Sequence, residues 1–159
     1  MKTFEHIVAE HGTTVLRVCR AILGPVDADD AWSETFLAAM RAYPDLPEDA
    51  NVEAWLVTIA HRKSIDVHRA TSRRAIPVDA VPEKAAATAP DGADLDDLYD
   101  ALRRLPITQR QAVAYHHLGG LPHREVATVL GSTPAAARRA SADGIKTLRA
   151  TYQQDRARR

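Results

Sequence analysis

A chain of 159 residues with 45% apolar and 5% aromatic side chains has room for one medium domain or two small ones, and abundant alanine favours helices over strands. No apolar run approaches the ~20 residues needed to span a bilayer, so membrane insertion is excluded as an expectation. MKTFEHIVAEHG lacks a signal-peptide core, and the single cysteine, Cys19, excludes an internal disulfide, so a reducing cytoplasm is the expected compartment. The net charge is zero but unevenly spread. Residues 1–56 carry 4 basic and 10 acidic side chains, 57–74 carry 5 and 1, 75–102 carry 1 and 7, and 103–159 carry 11 and 3. Two basic blocks alternating with two acidic ones suggest two polyanion-facing surfaces and an acidic surface that meets something else.

The first block, Phe4 to Leu23, has helical spacing through Ile7, Val8, Val15, Val18, Cys19, Ile22 and Leu23, with a break expected near Gly12. Cys19 lies among Val15, Leu16, Val18 and Ile22, which predicts a buried, inert thiol. Gly24-Pro25 stops the helix. The next helix opens on Asp27, Asp29 and Asp30 and runs to about Tyr43. Trp32, Phe36, Met40 and Tyr43 recur as one stripe, which predicts core, and Asp29, Asp30, Ser33 and Glu34 lie beside it. PDLPEDAN, residues 44–51, reads as a loop. A third helix follows from about Val52 to Arg69 or beyond, with Trp55, Leu56, Ile59, Ala60 and Val67 to bury and Arg62, Lys63 and Arg69 toward its basic end, before Arg73 and Arg74. Tryptophans near a basic helix fit stacking on bases, but the spacing of Trp32 and Trp55 favours core.

Residues 75–93, rich in Ala and Pro without a stable period, predict a flexible linker between an N-terminal domain, 1–74, and a C-terminal one, 94–153. Asp94 is a candidate N-cap for a helix with the stripe Leu95, Leu98, Tyr99, Leu102 and Leu105. Thr108 with Gln111 reads as a capping box for a helix ending before Gly119-Gly120. The stretch 121–148 then reads as a helix-turn-helix. A helix from about Pro122 to Leu130 is closed by Gly131, and a second is capped by Thr133 with Pro134 at its first position. Ala135, Ala136 and Ala137 permit close approach to a backbone, and Arg138 and Arg139 can reach phosphates or guanine edges. The tail, residues 154–159, is polar and expected to fray.

Three stretches in order resemble the sigma-70 family, specifically its two-domain extracytoplasmic-function (ECF) branch: DADDAWSETFLAAMRAY (27–43), VEAWLVTIAHRKSIDVHRATSRR (52–74) and LRRLPITQRQAVAYHHLGGLPHREVATVLGSTPAAARR (102–139). The resemblance implies an all-α protein of two small helical domains, an N-terminal bundle and a four-helix C-terminal domain with the helix-turn-helix. It would bind core RNA polymerase, direct it to promoters and help open the −10 region. Asp29, Asp30 and Glu34 would dock on the polymerase clamp helices. The loop from Asp45 to Asn51 would wall a pocket for an unstacked base. Arg62, Lys63, Arg69, Arg73 and Arg74 would hold phosphates, with Asp66 bracing them. The linker would thread toward the active-site and RNA-exit channels. The second domain would touch the polymerase flap and read the −35 element through Arg124, Ser132, Thr133, Arg138 and Arg139. An anti-sigma factor is the implied negative regulator. The recognition helix departs from the family pattern, with Ala140 in place of an arginine, Ser141 of a leucine and Asp143 of a cation.

The rival classes are weaker. Seven histidines invite a metal, but His116, His117 and His123 have no Cys or carboxylate at ligand spacing, nor do His6 and His11, or His61 and His68. No phosphate loop or nucleophile arrangement appears. The expectation is therefore a non-enzyme without cofactor or metal. A stand-alone helix-turn-helix regulator binding duplex DNA without polymerase is the alternative, against which the acidic and basic N-terminal helices argue. Closure of acidic 94–100 on basic 62–74 across the linker is a further expectation.

Overall fold

The computed structural model describes residues 2–73 and 92–158; Arg74 and most of the predicted linker lie outside the described residues. The described residues form α1 (Phe4–Leu23), α2 (Pro25–Ala42), α3 (Val52–Arg73), α4 (Gly92–Arg103), α5 (Ile107–Val113), α6 (His123–Leu130) and α7 (Pro134–Ala157), with no strand among them. A 3-10 turn, Tyr43–Asp45, follows α2, and a π turn, Ala114–Leu118, continues α5.

The N-terminal helices pack as a three-helix bundle. Thr3 caps α1 by accepting a hydrogen bond from the His6 amide. The break expected at Gly12 does not occur. Gly12 is buried under α2, and its carbonyl accepts a hydrogen bond from Trp32 Nε1 at 2.9 Å. Tertiary packing here outweighs the roughly 1 kcal/mol cost of a mid-helix glycine. Gly24, at φ 86°, ends α1 and admits Pro25 as the first residue of α2 with almost no connection between them. Ile7, Val15, Cys19, Phe36, Leu56 and Ala60 form the bundle core. Cys19 is fully buried, and burial pushes its thiol up to about 12, so it stays protonated at neutral pH. The predicted core stripe of α2 holds at Phe36 but not at Met40, which is 51% exposed. The bundle covers the side of α2 that carries Ala28, Ala31, Thr35 and Ala39, and this turns Met40 outward.

The C-terminal helices α4 to α7 form the second unit. Helix α4 begins at Gly92, so Asp94 falls in its first turn and not at the cap. The capping box at Thr108 and Gln111 is also absent, because Pro106 occupies the N-cap of α5. Arg110 organises this corner. Its guanidinium donates to the carbonyls of Arg103 (2.6 Å), Leu105 (3.2 Å) and Ile22 (2.9 Å), tying the end of α4 to the end of α1. Helix α7 continues to Ala157, beyond the point at which fraying was expected.

Helix α7 presents Ala137, Ser141, Gly144 and Leu148 as its buried stripe against α5 and α6. Ser141 is thus a small residue at a tight crossing. A Cβ added at Gly144 would lie 2.6 Å from Val113 Cγ2, and Val113 is itself buried. Gly144→Ala is therefore expected to lower stability by about 1–2 kcal/mol, overpacking exceeding the gain in helix propensity. Thermal unfolding of Gly144→Ala, Val113→Ala and the double variant checks this: the pair should couple favourably, and a raised Tm for Gly144→Ala alone would refute the close crossing.

The two units share one apolar core. Val18, Ala21 and Ile22 of α1 and Ala54 and Val57 of α3 belong to the same buried cluster as Tyr99, Leu102, Leu105, Tyr115, Leu121 and Val126. Closure between the units is thus apolar, and it differs from the expected pairing of acidic 94–100 with basic 62–74. Helix α4 packs on α1, where Arg17, Arg20 and Asp96 all act electrostatically on the Tyr99 hydroxyl. The apolar stripe of α4 finds its complement on α1, while the basic end of α3 is largely exposed.

Candidate nucleic-acid interface

Three exposed faces carry the charge pattern of the sequence. On α2, helical spacing sets Val26, Leu37 and Met40 in one row, 72%, 44% and 51% exposed. Asp30 and Glu34 flank the row on one side and Asp29 on the other, all exposed. Sequence reasoning found these carboxylates but not the apolar row between them. The signal was present as the spacing Val26, Ser33, Met40 with Leu37, one residue in seven, but Met40 also fitted a core stripe. An apolar centre with a charged rim is the composition of a protein-docking patch.

On α3, Arg62, Arg69 and Arg73 share one exposed face at spacings of seven and four, a row about 16 Å long. Lys63 is half-buried on the adjoining flank. Asp66 lies within the arginine row, and among the described residues no ion pair joins it to them. An exposed arginine row of this kind suits a polyanion. Arg74 lies outside the described residues.

The loop after α2 does wall a pocket. Leu46, Pro47, Glu48 and Asn51 line a space of 530 Å³ with Tyr43 and Glu53. Asp45, at the end of the 3-10 turn, is exposed and does not line it. Asn51 Oδ1 accepts from the Ala54 amide at 3.1 Å and so caps α3. Glu10 at the rim is held below the usual carboxylate range by its hydrogen bond and charge pairing with Lys2, 2.7 Å away. The tryptophans are structural: Trp32 packs at a tilt on Phe36 and Trp55 on Tyr43, with ring centroids 4.7 and 6.3 Å apart.

The helix-turn-helix forms as the turn chemistry predicts. Gly131 sits at φ 67°, ψ 35°, the left-handed geometry that ends α6, and Thr133 Oγ1 accepts from the Ala136 amide at 3.1 Å. Arg124, Ser132, Thr133, Arg138 and Arg139 are all exposed, as are Ala135 and Ala136. Neighbouring positions on a helix point about 100° apart, so Arg138 and Arg139 diverge. Arg138 turns toward a group of histidines, leaving Arg139 beside Asp143 one turn on.

The spacing of His116, His117 and His123 offers no metal-ligand set, yet the fold brings the three rings together. The His116 ring stacks on His123 with centroids 3.9 Å apart and meets His117 at 4.7 Å. The π turn re-aims His116 and His117, and the chain reversal at Gly119-Gly120 returns His123 onto them. Stacked rings do not converge their nitrogens on one point, and among the described residues no group of three or more His, Cys, Asp or Glu side chains is placed to hold a metal ion. A fourth histidine, His61 of α3, bonds through Nδ1 to the Tyr115 hydroxyl at 2.6 Å across the junction of the units. Burial, and then Arg62, hold His61 below the ordinary histidine value of 6.5, so the junction favours the neutral imidazole.

No helix among the described residues is long and apolar enough to cross a membrane. Comparison with known proteins identifies the arrangement. The family profile for Sigma-70 region 2 matches residues 7–74, and that for Sigma-70, region 4 matches residues 95–148. The chain is 31% identical over 159 residues to the ECF RNA polymerase sigma factor ShbA of Streptomyces griseus, covering 87% of this chain and 82% of that protein. It is 27% identical over 156 residues to the RNA polymerase sigma factor CarQ of Myxococcus xanthus, covering 92% and 87%. Among solved structures, CnrH in complex with the cytosolic domain of CnrY superposes with a TM-score of 0.72 at 25% identity, covering 96% of this chain and 88% of that one. RpoE of Bartonella quintana, crystallised with the anti-sigma factor NepR, shares the fold with a TM-score of 0.77 at 20% identity, covering 94% and 98%.

Proposed function

Since the chain belongs to the ECF branch of the sigma-70 family, and is an initiation factor that binds RNA polymerase and directs it to promoters, we propose a division of this work among its three exposed faces. The α2 row of Val26, Leu37 and Met40, rimmed by Asp29, Asp30 and Glu34, docks on the polymerase clamp. The α3 row of Arg62, Arg69 and Arg73, with Lys63 and Arg74, holds phosphates around the −10 element. The pocket beside the 44–51 loop takes an unstacked base. Its carboxylates, Glu10, Glu48 and Glu53, repel phosphate and suit the amino donors of adenine or cytosine edges. Arg139 and the α6–α7 turn, with Arg124, Ser132, Thr133 and Arg138, contact the −35 element.

The observation that carries this reading is the pairing, on one bundle, of an exposed apolar-acidic row with an exposed arginine row. A regulator acting on duplex DNA alone has no use for the first. The shared core adds a step. By their names the two elements lie about 25 base pairs apart, roughly 85 Å of B-DNA at about 3.4 Å per pair. A compact chain of this length has a radius of gyration of only about 15 Å. The units therefore separate before both elements are engaged, through the segment between α3 and α4. An anti-sigma partner, such as NepR is for RpoE, belongs to the same proposal, as does action in the cytoplasm without catalysis of its own. Run-off transcription reconstituted with core polymerase is the test. Start sites sharing paired upstream elements are expected, and no stimulation on any genomic template would refute the assignment.

A further inference from the structure

The histidine cluster is not used by any of these contacts. His116, His117 and His123 form one wall of a groove of 580 Å³ whose other wall is α7, with Arg138, Lys146 and Arg149. Among the described residues no carboxylate lines it. We propose that this groove is a phosphate-binding site in which His116, His117 and His123 act as proton-dependent ligands beside three fixed cations.

Its shape and composition fit a phosphate carried on a larger group. The volume far exceeds that of one phosphate, and Ala142, Ile145 and Ala150 give the groove an apolar floor for a sugar or base. Arg138 and Arg149 lie three turns apart on α7, about 16 Å, so the cations form a row and not a point. The histidines are prepared for anion binding. His116 Nδ1 donates to the Leu121 carbonyl at 2.7 Å, which commits that nitrogen to the backbone and leaves Nε2 for a ligand. His123 Nδ1 is enclosed and, among the described residues, without a hydrogen-bond partner.

The charged groups around the cluster are His116 and His117 from the π turn, His123 from α6, and Arg138, Lys146 and Arg149 from α7. Burial and then His116 hold His117 below the ordinary histidine range. Burial, His116, Arg138 and His117, in that order, do the same to His123. A bound anion favours the protonated form of both rings, so binding takes up protons and tightens as pH falls. The phosphate can belong to a DNA backbone, in which case the inference extends the −35 contact proposed above, or to a free phosphorylated small molecule.

The test follows histidine side-chain NMR signals of the full chain, titrated separately with inorganic pyrophosphate and with a 24-base-pair duplex, at pH 6 and pH 8. For one probe or both, the signals of His116 and His123 are expected to shift, with at least roughly tenfold tighter binding at pH 6. Movement with pyrophosphate alone assigns a free phosphate; movement with the duplex assigns the backbone. His116→Gln with His123→Gln should remove the pH dependence. Because His116 also holds the Leu121 carbonyl, Lys146→Gln with Arg149→Gln, both exposed, gives a second arm that should weaken binding at both pH values. Signals unmoved by either probe, or displaced only by a polyglutamate peptide, overturn the proposal. Specific transcription in the reconstituted assay would be untouched by that failure, which keeps the two readings separable.

Discussion

Leu37→Asp combined with Met40→Asp is expected to weaken binding to core RNA polymerase by about a thousandfold while leaving thermal unfolding within experimental error of the parent chain. The two side chains are 44% and 51% exposed, and the core that holds α2 lies on its opposite side. Surface changes of this kind alter stability by no more than about 0.5 kcal/mol. At the centre of an interface the same changes remove apolar anchors and bury two unpaired carboxylates. Truncating such anchors costs at least about 2 kcal/mol each, roughly 30-fold in affinity, so the pair should weaken binding by about a thousandfold. Equilibrium titration of labelled core enzyme measures this directly. Neutralising the rim with Asp29→Asn, Asp30→Asn and Glu34→Gln should act differently, slowing association and flattening its salt dependence more than it weakens the final complex. An unchanged affinity in the Leu37/Met40 variant would remove α2 from the docking surface.

Tyr115→Ala should be the most destabilising single substitution in the chain. Tyr115 is fully buried on the π turn, within the core that both units share, and its hydroxyl is bonded to His61 Nδ1. Deleting a buried aromatic ring costs about 3–5 kcal/mol, a large part of the stability of a domain of this size. Because the cluster includes α1 and α3 residues as well as α4 to α7, one cooperative transition should move, not the C-terminal unit alone. Tyr115→Phe separates the ring from the hydroxyl. It keeps the packing and leaves His61 Nδ1 without a partner at about 1–3 kcal/mol. Calorimetry of both variants distinguishes the terms, and two resolved transitions in Tyr115→Ala would show that the units fold independently.

The helices, the turn between α6 and α7 and the exposed cations were legible because each depends on chemistry within a few residues. Thr133 caps the helix three residues ahead, Gly131 supplies a positive φ, and Arg62, Arg69 and Arg73 share a face by spacing alone. The misreadings were also local. A break at Gly12, a box at Thr108 and a cap at Asp94 are each sound by propensity, and each was displaced by a contact or a helix start set elsewhere in the fold. Met40 shows the limit most plainly. One spacing put it both in the core stripe of α2 and in the exposed row, and only the position of α1 and α3 decided between them.

The sequence by itself therefore determined an all-helical chain carrying two basic surfaces, one acidic surface and a helix-turn-helix, since these follow from period, caps and charge. The tertiary structure alone decided which side of α2 faces outward, that Arg110 reaches the Ile22 carbonyl across 88 residues, that His61 meets Tyr115 across 54, and that three histidines share one groove. The physical reason is that each of these pairings is fixed by the burial of a common core, and burial is a property of how helices stack, which no periodicity within a single helix encodes.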